Sequence, residues 1–414
     1  MVLKGLVLLL CVTVVGLAIV GYHPLPEGIG EPHKVQFIVG VSKIFRAFSR
    51  LKAYLGYGDR QSNILLLRDS PKTTVPESAA YGALKVTRAE IAGVPVIVYQ
   101  PKDESTLHPA IVFFHGGGWV LGSPDTYDKT VYLYAVQTRT VVVSVGYRLA
   151  PEHPFPAPIQ DCLDVTRFVL KHGSEYNIDV SKVGVVGDSA GGNLAAAVAL
   201  KLTTEKSDLP PLRFQVLHYP ALQAFDMRLP SYVDLNESVP ILTSNLMGVF
   251  YAFYMGLDPQ NLTYYSTVIN ENRHIPPHVR KSAFGEFVNV KHLPAQYQTA
   301  HETIPDLSAQ YDQHVYEQIK HIITDPLFSP LMALDLAGVP PAFVHVCEFD
   351  VLRDDGFLYA RRLQNAGVKV HLHFGKGGYH GDISSRMWIV DLHPKSGQVA
   401  LAGAYAFIDS VLKQ

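Results

Sequence analysis

The run Gly187-Asp188-Ser189-Ala190-Gly191-Gly192 constrains this chain more than any other, because its G-x-S-x-G core separates the apolar stretch 183–186 from the Ala-rich stretch 194–200. Apolar strand, tight turn and helix in immediate succession make a corner on which a serine hydroxyl stands between small neighbours. The helix that follows presents unpaired amides at its start. G-x-S-x-G also occurs as an ordinary Gly/Ser turn, so its meaning depends on what else the chain carries.

A second motif lies upstream, where the apolar run 109–114 leads directly into His115-Gly116-Gly117-Gly118-Trp119. Glycines after a strand leave backbone N–H groups bare, and each amide preorganised around a developing oxyanion is worth about 10²–10³ in rate. The expected donors are the N–H groups of Gly116, Gly117 and Ala190, with His115 opening the motif. A flexible glycine turn would account for the glycines but not for their place at the end of an apolar strand.

An activated serine needs a base, and the base needs an acid to orient it. Residues 341–347 read as a strand that delivers Asp350 to a loop, and 368–374 as another that leads to His380 on a glycine-rich loop. Asp350 would then hold the imidazole of His380 in the right tautomer, and His380 would take the proton of Ser189. An acyl-enzyme forms and meets water. Glu348, Asp354 and Asp355 are rival acids, read as solvated charges of a loop or helix start. His371 and His373 alternate on one strand face, but no third ligand stands at suitable spacing, so neither a metal nor a cofactor is expected.

Apolar runs at 94–99, 110–114, 141–145, 183–186, 214–217, 342–347 and 368–374 alternate with segments of helix length. This is the pattern of an α/β protein with a mostly parallel central sheet flanked by helices. The alternation breaks after Tyr219-Pro220 and resumes beyond Asp325-Pro326, so 91–220 and 326–414 read as the core and 221–325 as a lid insertion. Its aromatic residues Phe250, Tyr251, Phe253, Tyr254, Tyr264 and Tyr265 are read mainly as the insertion's own packing rather than as an acyl pocket. Residues 23–90 form an N-terminal cap segment. Within it, 35–55 should be an amphipathic helix, with Phe37, Val41, Ile44, Phe45, Phe48, Leu51 and Leu55 at helical spacing and Lys43, Arg46, Arg50 and Lys52 between them. Its apolar face can close over the core or meet a lipid surface, and the two are compatible.

His115-Gly116-Gly117-Gly118-Trp119, the run 147–152, the run 187–197, the run 350–356 and Gly378-Tyr379-His380-Gly381 together resemble the hormone-sensitive-lipase branch of the α/β hydrolases, and within it the arylacetamide deacetylase family. These motifs span most of the chain. The resemblance implies an α/β-hydrolase fold, a triad of Ser189, Asp350 and His380, and an oxyanion-hole motif at 115–117. It also implies a disulfide between a cysteine after the motif tryptophan and the one matching Cys347, and here the chain departs, carrying Val120. Cys162 resembles a feature of the more divergent deacetylase-like members; spacing supports no bond from it to Cys347, so each is expected as an isolated buried thiol.

From Gly5 to Gly21 there are 17 residues without a charge, preceded by Lys4 and the terminal amine. That length suits a signal-anchor helix over 1–22 better than a secretory signal, although Gly16-Leu17-Ala18 offers a cleavage site. Positive charge before the span and Glu27 and Glu31 after it orient the amino end to the cytosol and the body to the lumen. Asn236-Glu237-Ser238 and Asn261-Leu262-Thr263 are glycosylation acceptors consistent with that exposure. With the resemblance, this points to a single-pass type II protein of the endoplasmic reticulum membrane.

With 35 basic against 37 acidic side chains, net charge recommends no nucleic-acid partner, and 3 cysteines build no disulfide scaffold. No obligate protein partner is evident. The expected activity is hydrolysis of carboxylic esters, and of acyl amides as a further class, on apolar or lipid-like substrates. A catalytically silent binding protein using the same pocket is the alternative; such proteins typically lose a triad residue, and none is missing here.

Overall fold

The computed structural model describes residues 16–57, 64, 65, 68, 82, 84–103, 105–298, 310–384 and 392–414. Among them one sheet is built from β1 (Leu84–Ile91), β2 (Val94–Pro101), β3 (His108–Phe114), β4 (Val141–Val145), β5 (Ile178–Asp188), β6 (Gln215–His218), β7 (Ala342–Phe349) and β8 (Val370–Tyr379), in the order β1-β2-β4-β3-β5-β6-β7-β8. β2 runs antiparallel to both β1 and β4, and every other neighbouring pair is parallel. The helices that bear on the site are α1 (Pro32–Tyr54), α2 (Asp128–Thr138), α3 (Ala157–His172), α4 (Ala190–Thr204), α5 (Ser244–Tyr254), α6 (Leu262–Asn270), α7 (Arg353–Asn365) and α8 (Lys395–Leu412).

Period-two alternation divides the strands' side chains between two apolar layers. Ala110, Val112 and Phe114 pack on one face with Ile159 and Leu163 of α3, Leu194 and Val198 of α4 and Leu358 of α7. Ile111 and Phe113 pack on the other with Val131 and Tyr134 of α2 and Leu401 and Ile408 of α8. Covered on both faces, the central strands carry unbroken apolar runs, as in Val141–Val145, where every residue is buried. Those runs made the sheet readable. β1 was not foreseen: it lies inside the stretch assigned to the cap segment, and its exposed alternate residues at the antiparallel edge make no continuous apolar run.

The helix expected over 35–55 forms as part of α1, which ends at Tyr54, one residue before Leu55, but its stripe points away from the core. Val35 and Val39 are buried against Val239 and Tyr379, while Phe37, Val41, Phe45, Phe48, Leu51 and Leu55 are 39–60% exposed. The anchor expected over 1–22 falls largely outside the described residues; residues 16–21 are helical, and among the described residues no helix is long and apolar enough to cross a membrane. Gly21 backs onto Gly40 of α1, close enough that a Cβ there would lie 3.3 Å from the Gly40 Cα. The Lys43 ammonium caps the Tyr22 carbonyl.

Candidate active site

Register brings the site together at the carboxyl ends of the parallel strands. Phe114 of β3 pairs with Gly187 of β5, so the glycine loop leaves the sheet beside the elbow. Phe349 of β7 pairs with Tyr379 of β8, so the next residues, Asp350 and His380, emerge side by side.

Ser189 sits at φ 55°, ψ −120°, between β5 and α4. A non-glycine residue holds that conformation only when its surroundings enforce it. Here the crowding is backbone on backbone: a Cβ at Gly187 would meet the Gly191 carbonyl oxygen at 2.1 Å, and one at Gly191 would meet the Phe114 carbonyl oxygen at 2.0 Å. The Ser189 N–H donates to the His218 carbonyl at 2.9 Å, pinning the corner to β6.

The three predicted side chains meet. Ser189 Oγ lies 3.0 Å from His380 Nε2, and His380 Nδ1 lies 2.8 Å from Asp350 Oδ2. Asp350 is buried, and its other oxygen accepts the Leu352 N–H at 3.0 Å. The carboxylate thus receives Nδ1–H and leaves Nε2 as the acceptor for the serine proton. The rival acids do other work, and two of them are not solvated. Asp354 and Asp355 start α7 as expected, yet both are fully buried. Asp354 accepts the Ser231 N–H, and Asp355 accepts from the Leu222 N–H, Gln223 and Tyr232, so together they tie the start of the insertion to the core. Glu348 accepts the Gly377 N–H at 2.7 Å and steadies the loop before His380.

The glycine loop departs from the expected set of oxyanion donors by one residue. The Gly116 N–H donates to Asp188 Oδ1 at 2.9 Å and is not available to substrate. Gly117 and Gly118, at φ +120° and +63°, have backbone N–H groups with no partner among the described residues, as does Ala190 at the start of α4. His115 is a buried spacer: it stacks on Tyr147 with ring centroids 4.3 Å apart and its Nδ1 lies 2.8 Å from the Gly116 carbonyl. Burial pushes its pKa down to about 4, so the imidazole is neutral.

Sequence reasoning passed over Asp188, Tyr127, Tyr219 and the lid contact of Trp119. Asp188 accepts from Gly116, from the Tyr127 hydroxyl at 2.8 Å and from the Tyr219 hydroxyl at 3.4 Å, and burial lifts its pKa to about 6. The available signal was an acid at the end of an otherwise apolar strand. Trp119 stacks on Tyr254 of α5 at 4.4 Å, and Tyr254 stacks in turn on Phe328 at 5.0 Å. The insertion's aromatics therefore pack on the oxyanion loop as well as on each other, with Tyr264 alone of the six exposed.

Both described cysteines, Cys162 and Cys347, are buried free thiols, and Cys347 is not isolated, its sulfur lying 3.5 Å from His345 Nε2. His371 and His373 both stack on Phe343.

Comparison with known proteins agrees with this architecture. Residues 111–279 and 287–384 match a family model described as alpha/beta hydrolase fold. The chain is 36% identical to arylacetamide deacetylase of Oryctolagus cuniculus over 91% of its own length and 94% of that protein's. The chain belongs to the arylacetamide deacetylase family of α/β hydrolases. Within that family it is 33% identical to human arylacetamide deacetylase-like 4, covering 87% of this chain and 86% of that one. It is 32% identical to neutral cholesterol ester hydrolase 1 of Rattus norvegicus, covering 90% and 92%. Among solved structures, the hyperthermophilic esterase of the archaeon Pyrobaculum calidifontis superposes with a TM-score of 0.58 at 30% identity, covering 84% of this chain and 88% of that one. The chain is accordingly a hydrolase of carboxylic esters.

Proposed function

We propose that Ser189, His380 and Asp350 are the catalytic triad, and that apolar, lipid-like esters are the substrates. The observation that carries the reading is His380 bridging Asp350 and Ser189 at 2.8 and 3.0 Å. Ser189 Oγ attacks the acyl carbon while His380 Nε2 takes its proton, and the oxyanion is received by the amides of Gly117, Gly118 and Ala190. His380 returns the proton to the leaving alcohol or amine, and water releases the acid by the same steps in reverse. Acyl amides fall within the same chemistry, since only the leaving group differs. Support for an apolar substrate comes from relatives named for arylacetamides and cholesterol esters.

The same reading places the protein in the endoplasmic reticulum membrane through an anchor at 1–22, with α1 lying against the lipid and the catalytic body in the lumen. Support comes from the exposed apolar side chains of α1 and from Arg46 and Lys43, which bond backbone carbonyls at the edge of that face. Of the two acceptor asparagines, Asn261 is exposed; Asn236 is half-buried and its Oδ1 accepts the Ser244 N–H. Labelling by a fluorophosphonate tests the catalytic assignment: Ser189→Ala should abolish both the label and hydrolysis of a short aryl ester, and turnover undiminished in that variant would refute it.

A further inference from the structure

Beside the triad loops stands a group of metal-binding side chains that ester hydrolysis does not use. His345 and Cys347 alternate along β7 and so share one face of the strand, and Asp382 reaches them from the turn after β8. All three are wholly buried. His345 Nε2, Cys347 Sγ and the Asp382 carboxylate lie within 4.8 Å of one another.

The spacing suits three corners of a tetrahedral ion. Ligands at about 2.0 Å (nitrogen) and about 2.3 Å (sulfur) from zinc, at a tetrahedral angle, stand roughly 3.5 Å apart. The Cys347 Sγ–His345 Nε2 separation is 3.5 Å, and His345 Nε2–Asp382 Oδ2 is 4.0 Å, which closes with a small shift of one carboxylate. Asp382 supplies the anomaly that calls for an occupant: among the described residues, both its oxygens are buried without a hydrogen-bond partner. Ser396 and Cys347 are near enough to draw its pKa down, but burial prevails and lifts it to about 7. An orphaned buried carboxylate is strongly disfavoured unless a proton or a cation joins it. Space is provided by glycine, since a Cβ at Gly375 would lie 2.8 Å from His345 Nε2 and one at Gly378 would lie 2.9 Å from Asp382 Oδ2.

A second layer orients the histidine. His345 Nδ1 faces His218 Nδ1 at 3.3 Å, and His218 Nε2 meets the Tyr134 hydroxyl at 2.5 Å. With His218 donating to Tyr134, its Nδ1 accepts from His345, and the lone pair of His345 Nε2 points at Cys347 and Asp382. Burial depresses both imidazoles and keeps them neutral, the form that binds metal. The single Cys347 S–H can be donated to His345 or to Asp382 but not to both, so one of the two is left without it.

We propose that His345, Cys347 and Asp382 bind a borderline-soft divalent cation, Zn²⁺ foremost, at a structural site that ties β7 to the His380 loop. Thiolate and carboxylate together neutralise the ion, so the buried group carries no net charge, and binding releases the thiol proton and any proton on Asp382 to solvent. The site stands independently of the triad assignment.

The test uses the full chain in detergent, stripped with a chelator and reloaded with ZnCl₂ or CoCl₂. Expected are one zinc per chain retained through dialysis, a zinc-dependent rise of several degrees in Tm, and a near-ultraviolet thiolate-to-cobalt charge-transfer band. Cys347→Ser and Asp382→Asn should lose all three. Should either fail to fold, the variant carrying both Cys11→Ser and Cys162→Ser decides, because Cys347 is then the sole thiol of the original 3. A cobalt band in that variant supports the site. A cooperatively melting wild-type chain with no band, and a Tm indifferent to zinc, overturns it and leaves a protonated Asp382 in its place.

Discussion

Asp188 accepts the backbone N–H of Gly116 at 2.9 Å, which locks the oxyanion loop to the residue immediately before Ser189. One buried carboxylate thus sets both the Ser189 corner and the glycine loop that carries the proposed oxyanion amides. Asp188→Asn offers the loop an acceptor but turns an amide N–H₂ toward Tyr127 or Tyr219, so the loop should shift. The expected result is a kcat reduced about 10–100-fold with KM within a few-fold, since a misplaced oxyanion amide acts on the transition state alone. A kcat equal to wild type, with the fold intact, would remove Asp188 from the positioning role.

Gly118 should tolerate no side chain. Its φ is +63°, and a Cβ would lie 2.4 Å from the Phe250 ring. Gly118→Ala is expected to cost at least 10-fold in kcat/KM, because α5, which carries Phe250, must back away from the loop. Phe250→Ala added to it should recover part of the loss, a non-additive pair measurable by a double-mutant cycle. Strict additivity would mean that the two residues do not meet in solution.

Asp355 carries a pH signature. Burial raises its carboxyl to about 7 in the folded chain from an ordinary value of 3.8. The folded state therefore holds that proton more tightly than the unfolded state, so the associated stability is complete below about pH 4 and is lost as pH rises through about 7. The stability difference between wild type and Asp355→Asn should fall with rising pH across that window, by roughly 1–4 kcal/mol. Denaturant midpoints of the two proteins between pH 4 and 8 measure it, and a difference that grows with pH would reverse the sign.

The exposed face of α1 should matter only where substrate is held in lipid. Each large apolar side chain moved out of water gains about 1.5–3 kcal/mol. Replacing Phe45, Phe48 and Leu51 together by serine is expected to leave turnover of a water-soluble aryl ester near wild type and to lower turnover of an ester dispersed in vesicles about 10-fold or more. Equal losses on both substrates would point instead to a disturbed core.

A glycosidase shift on Asn261→Gln tests topology. If the body is lumenal, as proposed, loss of one glycan is the expected outcome, and a chain never glycosylated at either asparagine would place the body on the other side of the membrane.

The sequence alone determined the central strands and the elbow and singled out Ser189, Asp350 and His380, because each is written in contiguous residues: unbroken apolar runs for strands buried on two faces, crowded glycines around Ser189, and an acid and a histidine in the loops that follow two such runs. Only the tertiary structure decided which glycine amides stay unpaired, which acids are buried, which way the stripe of α1 points, and that His345, Cys347 and Asp382 converge. Those properties depend on partners distant in the chain, since a hydrogen bond or a desolvated charge is set by what packs against it, and periodicity records only that something does.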